Sequence, residues 1–301
     1  DGHAHLVELF RQAKAHGCYI MLSSWEYQQS PSFLAHPELR DELAAIPPKE
    51  RFMAIARSMD QLIRFIKAEG YASQIVYAEL HNEVEFGQLT AVGVEQGIPA
   101  TDTPKLVEAM QPYIEEAIDY LREQHPDILM TASYTLNEAY PKSYVARNLQ
   151  VAHYHLYIKG VLNELMDAAG LNDEQTPFPN SFVQSLLRAD APPFEEWTLP
   201  EGQEWRMEGN PVGMKLIYLH DWVRHSEIPI VIGEGYVGYT PLHAGFEEGP
   251  VGKFIAEYAL RKGMSLGFWG MTLCSNCAPH HPFWSDVAWQ NKWNRFILDS
   301  E

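Results

Sequence analysis

Cysteine is scarce in this chain: three in 301 residues, at Cys18, Cys274 and Cys277. So few exclude a disulfide framework and leave the compartment open, with a lean towards a reducing, cytoplasmic one. Basic residues are also few, 22 against 40 acidic ones, for a formal net charge of −18. A surface so acidic repels phosphate backbones, which argues against nucleic acid as a partner, while neutral sugars are indifferent to it. No apolar run approaches the roughly 20 residues of a membrane span, so no membrane partner is expected. No glycine-rich phosphate loop follows any β-like run, which argues against a nucleotide-binding open sheet. Internal repeats, low-complexity tracts and a signal peptide are not seen. Oligomeric state is not readable.

What is present points to one large α/β domain over residues 1–301. The chain is 46% hydrophobic and 12% aromatic, with eight Trp and fifteen Tyr. Leu6, Leu9, Phe10 and Ala13 repeat at helical spacing over 6–16, and Gly17 follows as a stop. Further helices are predicted over 50–69, 105–123, 159–168, 212–225, 250–262 and 286–298. Strands are predicted over 18–22, 75–81, 128–133, 149–157, 228–233 and 265–271. The proline-rich stretch 171–211 between them reads as a long loop, a candidate cleft wall. Alternation of strand and helix implies parallel strands with helical crossovers. Six strands are predicted where a closed (β/α)8 TIM barrel has eight. The deficit falls at the start, so the expectation is either two βα units ahead of Asp1 or an incomplete barrel, with a doubly wound open sheet as the alternative.

Two predicted strands deliver a carboxylate at the C-terminal tip: Ile75 to Leu80 runs into His81-Asn82-Glu83, and Ile230-Val231-Ile232 runs into Gly233-Glu234. In an α/β barrel that rim is where catalytic side chains collect. Two facing carboxylates suit cleavage of a glycosidic bond, which needs a proton donor for the leaving oxygen and a carboxylate for the anomeric carbon. Glu83 is assigned as acid/base and Glu234 as nucleophile. Asn82 is placed to bind a sugar 2-hydroxyl, Tyr157 to donate to Glu234, and His155 to orient a carboxylate or a hydroxyl. His153 shares the face of His155 and Tyr157 by the two-residue period. Trp25 and Trp269, at strand tips, are the candidate stacking surfaces for a sugar ring. Glu79 falls on the face of Glu83 by strict alternation, so a buried partner or a bulge is expected there. Glu26 and Glu85 read as rim carboxylates.

These segments resemble a known family. Tyr77-Ala78-Glu79-Leu80-His81-Asn82-Glu83 is similar to the Asn-Glu motif that closes strand four in clan A glycoside hydrolases. Ile230 to Glu234 is similar to their strand-seven nucleophile segment, His155-Leu156-Tyr157 to the strand-six His-x-Tyr pattern, and Phe268-Trp269 to the strand-eight Trp. Order and spacing fit the cellulase-like, family-five-like members over residues 18–298, as strands three to eight. The resemblance implies a retaining β-glycoside hydrolase that acts on a β-linked oligo- or polysaccharide without a cofactor. Two departures stand out. Val84 follows Asn-Glu where the family usually has Pro, and strand three ends in Trp25-Glu26 without the family's His; an early-strand Arg is also not found.

Rival readings rest on other residues. Cys274, Cys277, His280 and His281 resemble a zinc cluster, but they crowd within eight residues, too tight for an easy tetrahedral site. A vicinal disulfide-type or free thiol pair is expected there. His3-Ala4-His5 imitates the metal motif of amidohydrolase barrels, which needs a preceding strand and an Asp ending the last strand. A carbohydrate-binding barrel without catalysis is the remaining alternative.

Overall fold

The computed structural model describes residues 2–25, 37–135, 144–157, 228–236, 250–272 and 286–299. The chain divides into two compact units, Asp1–Tyr154 and His155–Glu301. The helices predicted over 159–168 and 212–225, the loop 171–211, Glu26 and the cluster Cys274 to His281 lie outside the described residues. Among the described residues no helix is long and apolar enough to cross a membrane.

The first unit opens with helix α1 (Gly2–Ala15), which buries Phe10 and Ala13. Strand β1 (Ile20–Ser23) follows, then α2 (Pro37–Ala45) and α3 (Pro48–Ala68). Proline early in α3 is tolerated because those first N–H groups have no partner within the helix. Phe52, Ile55, Ala56, Met59, Ile63 and Ile66 form one buried row, each large side chain contributing about 2 kcal/mol of apolar burial. Strand β2 (Ile75–Glu79) leads by way of the short helix α4 (Ala91–Glu95) to α5 (Thr103–Gln124). Asp102 caps α5 by accepting the Lys105 N–H at 3.4 Å. The buried row of α5, Leu106 to Leu121, packs on α3.

The predicted strand 128–133 is in fact two short strands, β3 (Met130–Thr131) and β4 (Ser133–Thr135). β1, β2 and β3 form a parallel sheet in that order, with Leu22 opposite Ala78 and Ala78 opposite Met130. Parallel hydrogen bonding runs on past Glu79: Leu80 N–H donates to Thr131 O at 2.7 Å, and Val84 N–H to Ser133 O at 3.2 Å. β5 (Ala152–Tyr157) crosses the border between the units.

In the second unit β6 (Ile230–Tyr236) pairs in parallel with β7 (Gly270–Met271), Val231 opposite Gly270. Helix α6 (Pro250–Ser265) runs further than predicted and takes the first residue expected of the last strand. The chain then turns, with Phe268 N–H on Gly263 O at 2.9 Å, so only Gly270 and Met271 pair as strand. Helix α7 (Val287–Leu298) packs Trp289 and Trp293 on Ala256 and Leu260 of α6. Both indole N–H groups donate to Glu257 Oε1, at 2.8 and 3.1 Å, which lets two large rings be buried without stranding a donor.

Candidate active site

In the first unit, the tip of β2 carries the candidate chemistry, and a buried polar layer lies under it. Glu79 ends the strand fully buried, accepts from the Ser23 hydroxyl and faces His153 Nδ1 at 3.4 Å. Of the two outcomes expected for Glu79, the buried partner is the one found. His153 sets its ring edge-on to Tyr77, with centroids 5.7 Å apart. Burial, with the charge of Glu79 beside it, pushes the Tyr77 phenol well above its ordinary range.

Beyond Glu79 the chain is stitched down on both sides. Asn82 N–H donates to Ser24 O at 2.9 Å, and Ser133 N–H to His81 O at 3.2 Å. Glu83 N–H reaches Ser133 Oγ at 2.8 Å. Glu83 itself is left-handed, with φ at 48°, among the described residues the non-glycine position with positive φ. That backbone costs about 1–3 kcal/mol for a residue with a side chain and persists only where its surroundings enforce it. The Ser133 bonds on either side of residue 83 are that enforcement. Asn82 and Glu83 are half-buried and the Trp25 indole, next to Ser24, is half-exposed. His81 is buried.

Glu85 is a correction to the sequence reading. It is not a rim carboxylate but is buried under the tip, with Oε1 on the N–H and the hydroxyl of Thr135 at 2.6 and 2.5 Å. Burial pushes its carboxyl up to about 7, the Thr135 bonds hold it back, and the charge of Glu83 adds to the rise. Ser133, Thr135 and Glu85 are thus site residues that motif reasoning passed over. The signal was Ser133-Tyr134-Thr135, a polar–aromatic–polar strand end just after an apolar run.

In the second unit, Glu234 sits in β6 with its side chain about one-third exposed, and His155 Nδ1 lies 3.7 Å from Oε2. That separation is longer than a hydrogen bond and within ion-pair range. Gly235 passes so close to β5 that a Cβ would sit 2.6 Å from the Leu156 carbonyl oxygen, which explains why the residue after Glu234 has no side chain. Thr272 fixes the strand from the other side, with its hydroxyl on Gly233 O at 2.7 Å. Trp269, whose backbone N–H donates to Ile230 O, leaves its ring half-exposed. Tyr157 ends β5, and its side chain lies outside the described part.

Among the described residues, the groups of side chains that could hold a metal ion do not include the amidohydrolase-like pair. His3 and His5 are exposed on α1, where two residues of separation turn side chains about 200° apart around the axis, and the His3 ring lies tilted against Phe65, centroids 4.6 Å apart.

A family model described as sugar-binding and cellulase-like matches residues 3–298. Among solved structures, a candidate glycoside hydrolase of Parabacteroides distasonis is 17% identical with a TM-score of 0.64, covering 96% of this chain and 71% of that one. The cellulose synthase subunit Z of Clostridioides difficile is 16% identical with a TM-score of 0.50, covering 92% and 73%. A search of curated proteins finds no match. These likenesses show the fold: the α/β, (β/α)8 TIM-barrel class of the glycosidases.

Proposed function

Since the chain belongs to the sugar-binding, cellulase-like family, we propose that it is a retaining β-glycoside hydrolase acting on a β-linked oligo- or polysaccharide. Glu234 is the nucleophile and Glu83 the acid/base. In the first step a Glu234 oxygen bonds to the anomeric carbon as the glycosidic C–O bond breaks, and Glu83 gives its proton to the departing oxygen. In the second step water attacks the same carbon, Glu83 takes a proton from it, and Glu234 leaves as carboxylate. No cofactor enters this scheme.

The observation that carries the reading is the left-handed turn at Glu83, a strained position at the tip of a parallel strand, kept in place by Ser133. Evolution-neutral surface loops have no need of it, whereas a proton donor that must meet one oxygen does. His155 is the orienting group for Glu234, and Asn82 binds the 2-hydroxyl. The half-exposed rings of Trp25 and Trp269 offer apolar faces to sugar C–H groups. His153 serves from below, through Glu79.

The test is hydrolysis of aryl β-glycosides followed by proton NMR. The first-formed sugar keeps the β configuration, Glu234→Gln lowers turnover by about 10²-fold or more, and Glu83→Gln does so for unactivated aryl leaving groups. Initial release of the α-anomer contradicts retention. Sugar binding without turnover by the parent chain favours a lectin-like role, the second reading that the family description supports.

A further inference from the structure

Along the turn that follows Glu83 the usual order of burial is inverted. The carboxyl of Glu85 is buried, while Phe86, an apolar ring, is 48% exposed. Val84 before this pair and Gly87, Gln88 and Leu89 after it are buried as well. Burying a carboxyl costs free energy and leaving a phenyl ring in water forfeits a gain, so this order does not serve stability. The backbone that carries the ring is fixed from both ends. Phe86 N–H donates to Glu83 O at 3.0 Å, which closes a turn and keeps the two α-carbons within about 7 Å. Beyond it, Gly87 O accepts from the Thr90 hydroxyl at 2.9 Å and Gln88 O from Arg51 Nη1 at 2.9 Å. An exposed ring on a clamped backbone loses little conformational freedom when a ligand covers it.

The tip has two sides. Just past β1, Ser24 O accepts the Asn82 N–H at 2.9 Å, and Trp25 is the next residue. At the end of β4, Thr135 holds Glu85, and Phe86 is the next residue. In the proposed reaction Asn82 takes the 2-hydroxyl of the sugar that stays on the nucleophile, so the β1 side belongs to that sugar. Glu83 gives its proton to the oxygen that joins this sugar to the departing group. The β4 side is left for the departing group. We propose that Phe86 is the stacking platform for a departing sugar, whose apolar C–H face covers the phenyl ring. The proposal rests on the reading of Glu83 as acid/base, and it makes the natural leaving group itself a sugar.

Acceptor trapping tests this in the full chain. An aryl β-glycoside loads the sugar onto Glu234 as an ester and releases the phenol. A hydroxyl of an added β-linked disaccharide of glucose, mannose or xylose then competes with water for the anomeric carbon, giving its proton to Glu83. The parent is expected to transfer the sugar to at least one of these acceptors. Phe86→Ala lowers the ratio of transfer to hydrolysis about 10-fold, and Phe86→Tyr restores it. This ratio does not depend on how much of the variant folds. No transfer by the parent, or an unchanged ratio in Phe86→Ala, overturns the proposal. Calorimetry supplies an arm without turnover, with β-linked trisaccharides of the same sugars titrated into Glu234→Gln. Adding Phe86→Ala is expected to weaken Kd about 10-fold. No binding, or the same Kd with and without the ring, overturns the proposal. If the parent hydrolyses no glycoside, the glycosidase reading fails on its own, while calorimetry still decides whether Phe86 holds a sugar.

Discussion

Arg51 shows how this protein handles a buried charge with no ion pair among the described residues. Its guanidinium is buried and gives three hydrogen bonds to backbone carbonyls, Nε to Ile46 O, Nη1 to Gln88 O and Nη2 to Ala44 O, all at 2.8–2.9 Å. Ala44 and Ile46 lie at the C-terminal end of α2, where carbonyls lack helical partners and the dipole is negative. The cation thus replaces a cap for one helix and clamps the Gln88 turn beyond the candidate acid. Arg51→Met keeps much of the apolar stem but leaves these carbonyls without a donor. Urea denaturation is expected to show a loss of about 2–3 kcal/mol. A change under about 0.5 kcal/mol would mean that water replaces the guanidinium.

At the scale of elements, the close approach of β6 to β5 at Gly235 sets the position of Glu234. The obstacle to a Cβ there is a backbone oxygen, which cannot swing aside as a side chain can. Gly235→Ala therefore forces the strands apart, at a cost of about 1–3 kcal/mol in thermal or chemical denaturation, and shifts Glu234 away from His155. An alanine variant as stable as the parent would contradict the packing described. The long elements were legible in the sequence because period and length agreed: the apolar row Phe52 to Ile66 in α3 is an example. The short ones were not. The apolar run Ile128 to Ala132 looks like one strand, yet it is split into β3 and β4, since pairing partners decide strand limits and a single chain segment does not reveal them. Asn82 and Glu83, just past the end of β2, and Glu234, late in β6, were legible as strand-end positions. Glu85 was misread because a charged residue near a strand tip is usually solvated, and its anchor at Thr135 lies 50 residues away.

For the whole molecule, the buried titrating groups tie folding stability to pH. The Glu85 carboxyl has a folded-state value of about 7, above the 4.5 of an unperturbed Glu. The folded chain then holds a proton that the unfolded chain has lost, so this residue's contribution falls as pH rises from about 4.5 to 7, by about 3 kcal/mol in all. His125 acts in the opposite direction. Burial holds its imidazole below the ordinary range, with Lys67 adding, against the pull of Asp60, to which Nε2 is bonded at 2.8 Å. Its contribution is lost as pH falls below about 6.5, where the unfolded chain binds the proton first. Denaturation midpoints across pH 4.5–8 separate the two. Relative to the parent, Glu85→Gln becomes progressively more stable as pH rises, whereas a constant difference between the two would contradict a raised Glu85.

The role of Glu83 as proton donor is tested most directly by the leaving-group dependence of kcat/KM in Glu83→Gln, using a series of aryl β-glycosides. A dinitrophenolate departs without a proton, while an unactivated phenolate needs one. The account predicts a loss that is small for the best leaving group and grows to about 10²-fold or more for the poorest. An equal loss along the whole series, or none, would contradict it.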